Sequence, residues 1–356
     1  VSALGHYRSG LPIDVQEFGS YRYRICRTMF EEERLSRDIV TRLNMIFQQV
    51  WVPSSFVLDL FAHSGVRRDL LRIVPVPVDV NLFRPDHDAR QEWRTKTGFA
   101  PDDFIFLSVF KWEERKNWDT LVRGFLRAFD RDRDDNNNVH LYIKTEKWMG
   151  ASPKDDVDAI LNNLGVPTKL RNRLHISTTH LPSAHIPPMY AAADAFVLPT
   201  HGEGWCLPLA EAMATGLPSI ATKWGGHLDF MNERNSLLLD FEFTAAPSGT
   251  RWASPSVGDV SDAMRLIRTS PQRRKALAGE ARRAVEAFSF ERVGTVFSRH
   301  LAEASDMLKR SLPTVHLLHG RDEITRPQET PVTVDDKLEA LRMLQPKDPE
   351  QRWVVS

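Results

Sequence analysis

Two glutamates eight positions apart, Glu203 and Glu211, flank a turn containing Gly202 and Gly204 and an apolar helix start at Leu207, Pro208 and Leu209. Ahead of them, Ala195-Phe196-Val197-Leu198-Pro199 has the length of a buried strand. A strand, a glycine turn and then a helix is how doubly wound proteins present backbone N–H groups to a phosphate. Here the turn carries one carboxylate and the helix carries another about two turns further on. One carboxylate can hold a sugar and the other a ribose, with a diphosphate between them.

The elements that must position these groups follow from periodicity. From Phe104 onward, apolar runs alternate with amphipathic ones. The pattern predicts strands at 104–109, 139–144, 174–178, 194–199, 218–222 and 236–240. Helices are expected at 117–129, 155–163, 185–192 and 207–215. Such alternation is the pattern of a parallel sheet with right-handed crossovers. Upstream, the spacing predicts a strand over 22–30, an amphipathic helix over 31–47 and a strand over 50–53. Ser54 then caps a helix over 55–64 that Gly65 stops, and a strand follows at 71–76. Downstream, 257–311 reads as helical with breaks near Ser270-Pro271 and Phe288-Ser289. Residues 1–20 and the polar run 130–138 read as loop. The segment after Pro313 reads as a tail with one short helix at 334–344.

Composition bounds the function. The chain has 356 residues, a length that suits two domains. Its 42% hydrophobic and 26% charged content is ordinary for a globular protein. Lys plus Arg and Asp plus Glu both number 47, so net charge gives no reason to propose nucleic acid as a partner. Cys26 and Cys206 are the only cysteines, which makes a reducing compartment the default. No apolar run is long enough to span a bilayer. The histidines lack metal-ligand spacing, so no metal site is expected. The sequence begins with Val rather than Met.

The G-E-G-W turn, the E-x7-E spacing and the continuation A-E-A-M-A-T-G-L-P-S-I-A-T resemble the C-terminal domain of retaining family-4 glycosyltransferases, which have the GT-B fold. The resemblance extends to Val50-Trp51-Val52-Pro53-Ser54-Ser55-Phe56, similar to the family's last N-domain strand and its turn. Pro75-Val76-Pro77-Val78-Asp79 with Phe83-Arg84-Pro85 resembles the interdomain linker, and Phe106 to Phe125 resembles the first strand, phosphate loop and helix of the nucleotide domain. It covers about residues 20 to 305. It implies an α/β architecture of two Rossmann-like domains facing a cleft, the N-terminal one incomplete. The expected boundaries are 1–85 for the remnant of the acceptor-side domain with its linker, 86–288 for the nucleotide-sugar domain, 289–312 for a helix returning to the first domain, and 313–356 for a tail. The family's early N-domain strands and glycine-rich loop have no counterpart in the sequence; because the nucleotide-site residues are intact and the sequence starts without Met, truncation is expected rather than degeneration.

The resemblance implies roles. Lys111 and Lys116 match the basic pair that holds the donor diphosphate, with Lys111 standing where Arg is more usual and Arg115 an alternative cation. Read by residue type alone, they are two lysines in a solvated loop. Glu203 would contact the transferred sugar; as a lone residue it is a loop acid. Glu211 would accept bonds from the ribose hydroxyls, or else partner the helix dipole. Gly204, Trp205, Cys206 and Leu207 would offer backbone N–H groups. Cys206 stands where many relatives have Gly, which would narrow the donor pocket. Gly226, in Gly225-Gly226-His227-Leu228-Asp229, would line the cleft with Asp229 in a position often held by Glu, or else belong to a plain turn, and His180 would lie against the base, or else be a simple surface histidine. The implied reaction moves a hexosyl unit from a nucleotide diphosphate sugar to a glycan, lipid-linked or small-molecule acceptor, with retention and without a cofactor or metal. The expected location is cytoplasmic, with peripheral membrane association left open. The alternatives are an inactive nucleotide-sugar-binding protein, or an epimerase or phosphorylase on the same fold.

Overall fold

The computed structural model describes residues 23–130, 138–146, 150 and 152–311. The expected loops at 1–20 and across most of 130–138, Trp148 and the tail after 313 with its helix lie outside them.

The chain opens with a small parallel sheet, β1 (Ile25–Arg27), β2 (Gln49–Val52) and β3 (Leu71–Ile73), in the order β1-β2-β3. Two helices cross between the strands, α1 (Arg37–Ile46) and α2 (Ser55–Ser64). Ser36 caps α1 by accepting from Ile39 N at 3.4 Å. The helix expected from residue 31 therefore starts at 37, and Glu31 to Glu33 form a coil. α2 runs as predicted, with Ser54 Oγ accepting from Val57 N at 3.2 Å and Gly65 stopping it at φ 107°. A core of Cys26, Leu43, Val50, Val57, Phe61 and their neighbours fills this unit.

α3 (His87–Thr97), which the periodicity does not predict, leads into the second sheet. That sheet has six parallel strands, β4 (Phe104–Lys111), β5 (Val139–Glu146), β6 (Leu174–Ser177), β7 (Ala195–Leu198), β8 (Ser219–Thr222) and β9 (Ser236–Leu239). Their order is β6-β5-β4-β7-β8-β9, so the winding reverses between β4 and β7. The crossovers are α4 (Trp118–Phe129), α5 (Pro153–Asn163) with the short α6 (Thr168–Arg171), α7 (Ile186–Ala192) and α8 (Leu207–Ala214). β7 and β8 are buried along their whole length, as a parallel sheet covered on both faces requires. The predicted strands and helices from 104 to 240 all form, within a few residues of their expected ends. An antiparallel hairpin follows, β10 (Glu242–Ala245) with β11 (Arg251–Ser254). The C-terminal helices α9 (Val257–Thr269), α10 (Pro271–Val285) and α11 (Phe290–Ser311) break where the sequence indicates.

α11 returns to the first unit. Trp51 of β2 packs edge-on against Phe297, 5.0 Å between centroids, and Arg72 approaches Glu303 at 3.5 Å. The crossing chain is pinned where Val78 N donates to Phe288 O at 2.9 Å. Across the interface, Ser54 Oγ donates to Gly204 O at 2.8 Å, and Ser55 N donates to Asp229 Oδ2 at 2.9 Å. Among the described residues, no helix is long and apolar enough to cross a membrane.

α4 and α9 pack closely because Gly124 lacks a side chain. A Cβ there would meet Val260 Cγ1 at 2.5 Å and Val260 Cβ at 2.9 Å. The Val260 Cβ is fixed to its backbone and cannot turn aside. Gly124→Val should therefore lower unfolding stability by about 1–3 kcal/mol in urea denaturation, the range for overpacking a core.

Candidate functional site

In an open doubly wound sheet, ligands bind beyond the carboxyl ends of the strands where the winding reverses. Here that point lies beyond Lys111 at the end of β4 and Leu198 at the end of β7. The two following loops carry the candidate residues, and they are stitched together. Asn117, in the left-handed region at φ 55°, donates from Nδ2 to Pro199 O at 3.0 Å. His201 N and Thr200 Oγ1 donate to Arg115 O at 2.8 and 3.1 Å, while Arg115 Nη1 donates to Gly202 O at 2.6 Å.

The stitching brings Lys116 and Glu203 together, Nζ to Oε1 at 2.8 Å. Arg115 stands 3.5 Å from the other oxygen of Glu203 and pairs with Glu113 at 2.7 Å. All are sequestered: Glu203 is 3% exposed, Lys116 6% and Arg115 8%. Burial alone would raise the pKa of Glu203, but Lys116 and Arg115 outweigh it and hold the group at about 2. Glu203 is therefore a carboxylate throughout the neutral range. Lys111 is half-buried, and desolvation draws its pKa below the usual lysine range, opposed by Glu146 and Glu113.

The glycine turn is crowded on its far side. Gly226 N donates to Glu203 O at 2.6 Å, and a Cβ on Gly226 would lie 1.9 Å from Gly204 O. Gly204 and Gly226 thus let two turns and Ser54 of the first unit meet. Trp205 is wholly buried, its ring edge-on to Phe230 and Phe288 at 5.1 and 5.0 Å. Its side chain belongs to the core, which leaves its backbone as the part that can serve a ligand. Cys206 caps α8 with φ 74°, a left-handed conformation that glycine adopts without strain and other residues do not. Burial pushes its thiol pKa well up, so it is not a thiolate. Leu207 opens α8, and Glu211 lies half-buried in the middle of that helix. His180 is exposed in the loop after β6, two strands from β4. Asp229 is engaged with Ser55 of α2 and ties the two units together.

Two participants escape the sequence reading. Glu113 is an ordinary loop acid in sequence, and its pairing with Arg115 gives no periodic signal. Glu31 was read as the start of a helix. Instead it is half-buried on the first unit, close enough to Arg115, Lys116 and Glu203 to feel their charges. Among the described residues, no group of three His, Cys, Asp or Glu side chains could hold a metal ion.

A doubly wound domain with a cation–carboxylate cluster at its winding reversal, tied to a second parallel sheet, has the architecture of GT-B proteins. Residues 101–246 match the glycosyl transferases group 1 family. It is 28% identical over 279 residues to a D-inositol 3-phosphate glycosyltransferase of Actinosynnema mirum, covering 77% of this chain and 61% of the relative. It is 30% identical to the mannosylfructose-phosphate synthase of Agrobacterium fabrum, covering 55% of this chain and 41% of the relative. The chain thus spans about three-fifths or less of the length of these curated relatives. Among solved structures, Anabaena HepE in complex with UDP superposes with a TM-score of 0.63 at 19% identity, covering 80% of this chain and 72% of that one. The fold is GT-B.

The depressed pKa of Glu203 sets a pH dependence. A carboxylate lowered from 4.5 to about 2 contributes stability above the higher value and loses it as pH falls through the lower one. Glu203→Gln removes that contribution and leaves Lys116 and Arg115 buried beside a neutral amide, a cost of about 3–5 kcal/mol near pH 7. Urea unfolding from pH 7 down to 3 should show the gap between the two proteins closing below the ordinary carboxylate range.

Proposed function

We propose that this chain is the donor-binding part of a retaining glycosyltransferase that moves a hexosyl unit from a nucleotide diphosphate sugar to an acceptor hydroxyl. The observation that carries this reading is the Lys116–Glu203 pair at 2.8 Å, at the winding reversal between β4 and β7. A nucleoside diphosphate gains negative charge as it leaves, and fixed cations beside it stabilise that charge. Lys116 supplies one of those cations and Lys111 or Arg115 the other, Arg115 also holding the turn in place. Glu203, kept ionised, faces the sugar and supports positive charge at the reacting carbon. The half-buried Glu211 takes the ribose hydroxyls, and the backbone N–H groups from Gly204 to Leu207 take phosphate and sugar oxygens. His180 lies toward the base, and Gly226 backs the turn rather than touching the donor.

In this reading the acceptor oxygen attacks the anomeric carbon on the face from which the diphosphate departs. The bond from that carbon to the phosphate oxygen breaks, its electron pair leaves with the diphosphate, and the acceptor proton passes to the departing oxygen. No protein nucleophile is required, in keeping with the protonated, buried thiol of Cys206. No metal is required either, since the side-chain cations answer the phosphate charge. The acceptor is a glycan, a lipid-linked saccharide or a small hydroxyl compound. The relatives' names, an inositol phosphate glycosyltransferase and a mannosylfructose-phosphate synthase, support transfer to a hydroxyl.

Calorimetric titration with UDP, GDP and ADP in EDTA tests the donor site. One of the three should bind, and Glu211→Ala should weaken that nucleotide by about 1–3 kcal/mol, the scale of charged hydrogen bonds. Unchanged affinity in the folded variant removes Glu211 from the site. Binding without transfer from any matching sugar donor by the full-length protein would favour a nucleotide-sugar-binding protein over an enzyme.

A further inference from the structure

The donor-site cluster has a neighbour on the opposite unit. The coil between β1 and α1 lies directly on the glycine turn. A Cβ on Gly202 would sit 2.5 Å from Glu31 O, and one on Gly204 would sit 3.2 Å from both Met29 Cβ and Phe30 O. Two residues on, Glu33 pairs with Arg251 of β11, Nε to Oε1 at 3.1 Å. The coil is therefore seated on the turn at Met29 to Glu31 and latched to the hairpin at Glu33.

Glu31 brings a carboxylate to this contact. It is attracted by Arg115 and Lys116 and repelled by Glu203 and Glu113. Among the described residues its carboxylate makes no hydrogen bond, whereas Glu203 and Glu113 are each bonded to a cation. The charge count matters here. Arg115 and Lys116 are already bonded to Glu113 and Glu203, so Glu31 brings a further carboxylate to the same two cations. A nucleoside diphosphate arriving at the same cations adds further negative charge, and like charges in a partly buried site repel strongly.

Resting on the donor-site reading, we propose that Glu31 is a charge gate: its carboxylate competes with the donor diphosphate for the Arg115–Lys116 cations, and it must withdraw or take up a proton for the donor to bind. The Glu33–Arg251 latch holds the gate in place. The contact thereby links the coil of the first unit to donor occupancy of the second.

The gate should respond to pH. The charged groups that act on Glu31 are Arg115, Lys116 and Glu113 from the loop after β4 and Glu203 on the turn after β7. Burial raises the pKa of Glu31, with Arg115 and Lys116 opposing and Glu203 and Glu113 adding to it. Its charge is therefore fully present only above the ordinary carboxylate range, and the gate closes harder as pH rises.

The test is calorimetric titration of the full chain with UDP, GDP and ADP separately, in EDTA, at pH 8.5. The proteins are the wild type, Glu31→Gln and Lys116→Met, each checked for folding by circular dichroism. The nucleotide that binds the wild type should bind Glu31→Gln about tenfold more tightly, equivalent to about 1.4 kcal/mol. Equal or weaker binding by Glu31→Gln overturns the gate while leaving the donor site standing. Wild-type binding that folded Lys116→Met does not weaken, or no binding by any of the proteins, overturns the donor-site reading and the gate with it. Should Glu31→Gln fail to fold, Glu33→Gln cuts only the exposed latch. It should speed nucleotide association, and an unchanged rate overturns the proposal.

Discussion

A buried cation needs a carboxylate, and that requirement organises the centre of this molecule. Removing Lys116 and Arg115 from water is costly, and only a close, well-bonded counterion repays it. Glu203 is that counterion, and it reaches the cations only if the turn after β7 is pulled against the loop after β4. The hydrogen bonds from Asn117 to Pro199, from His201 and Thr200 to Arg115, and from Arg115 to Gly202 all serve the same approach. The pair thus fixes the two loops at the one place in the sheet where the strand order opens a crevice.

The second constraint is steric. Three chain segments converge on the glycine turn: the coil at Met29 to Glu31, the turn at Gly225 and Gly226, and the start of α2 at Ser54. Gly202 and Gly226 have no room for a side chain and Gly204 has little, so much of the interface between the two units is made by backbone atoms. Such a contact is insensitive to rotamer choice and sensitive to small shifts of whole segments. Ser55 with Asp229 and Phe56 with Trp224 add directed contacts around it. Changes on the first unit are consequently felt at Glu203 through rigid pieces rather than through soft side chains.

The sequence made most of the sheet and helix order legible, because parallel strands buried on both faces write continuous apolar runs such as Ala195 to Leu198, and helix breaks write Ser-Pro and Phe-Ser pairs. It left α3 invisible for a physical reason. That helix reads His-Asp-Ala-Arg-Gln-Glu-Trp-Arg-Thr-Lys-Thr, and it is anchored by Arg90 and Arg94 bonding to Asp194 and the carbonyl of Ala192 rather than by an apolar stripe. Polar anchoring has no period. The β10–β11 hairpin was missed likewise: β10 is exposed along its length, and the hairpin is held by aromatic edges and Arg251. At the site, the spacing of Glu203 and Glu211 and the lysines after β4 were readable because they are local. The partners Glu113 and Glu31 were not, since charge pairing across loops and between units depends on where the fold brings them, and the acidic run at Glu31 to Glu33 imitates a solvated helix face.

The return of α11 has a consequence for how the molecule is made. Trp51, in the middle strand of the first sheet, is covered by Phe297 and His300, which are synthesised long after it. The first unit therefore leaves the ribosome with an uncovered tryptophan face, and it must wait for the whole nucleotide-side sheet before it can be completed. Contacts so distant along the chain form slowly, because closing a long loop comes before the reward of the contact. The arrival of α11 is thus what completes the first sheet.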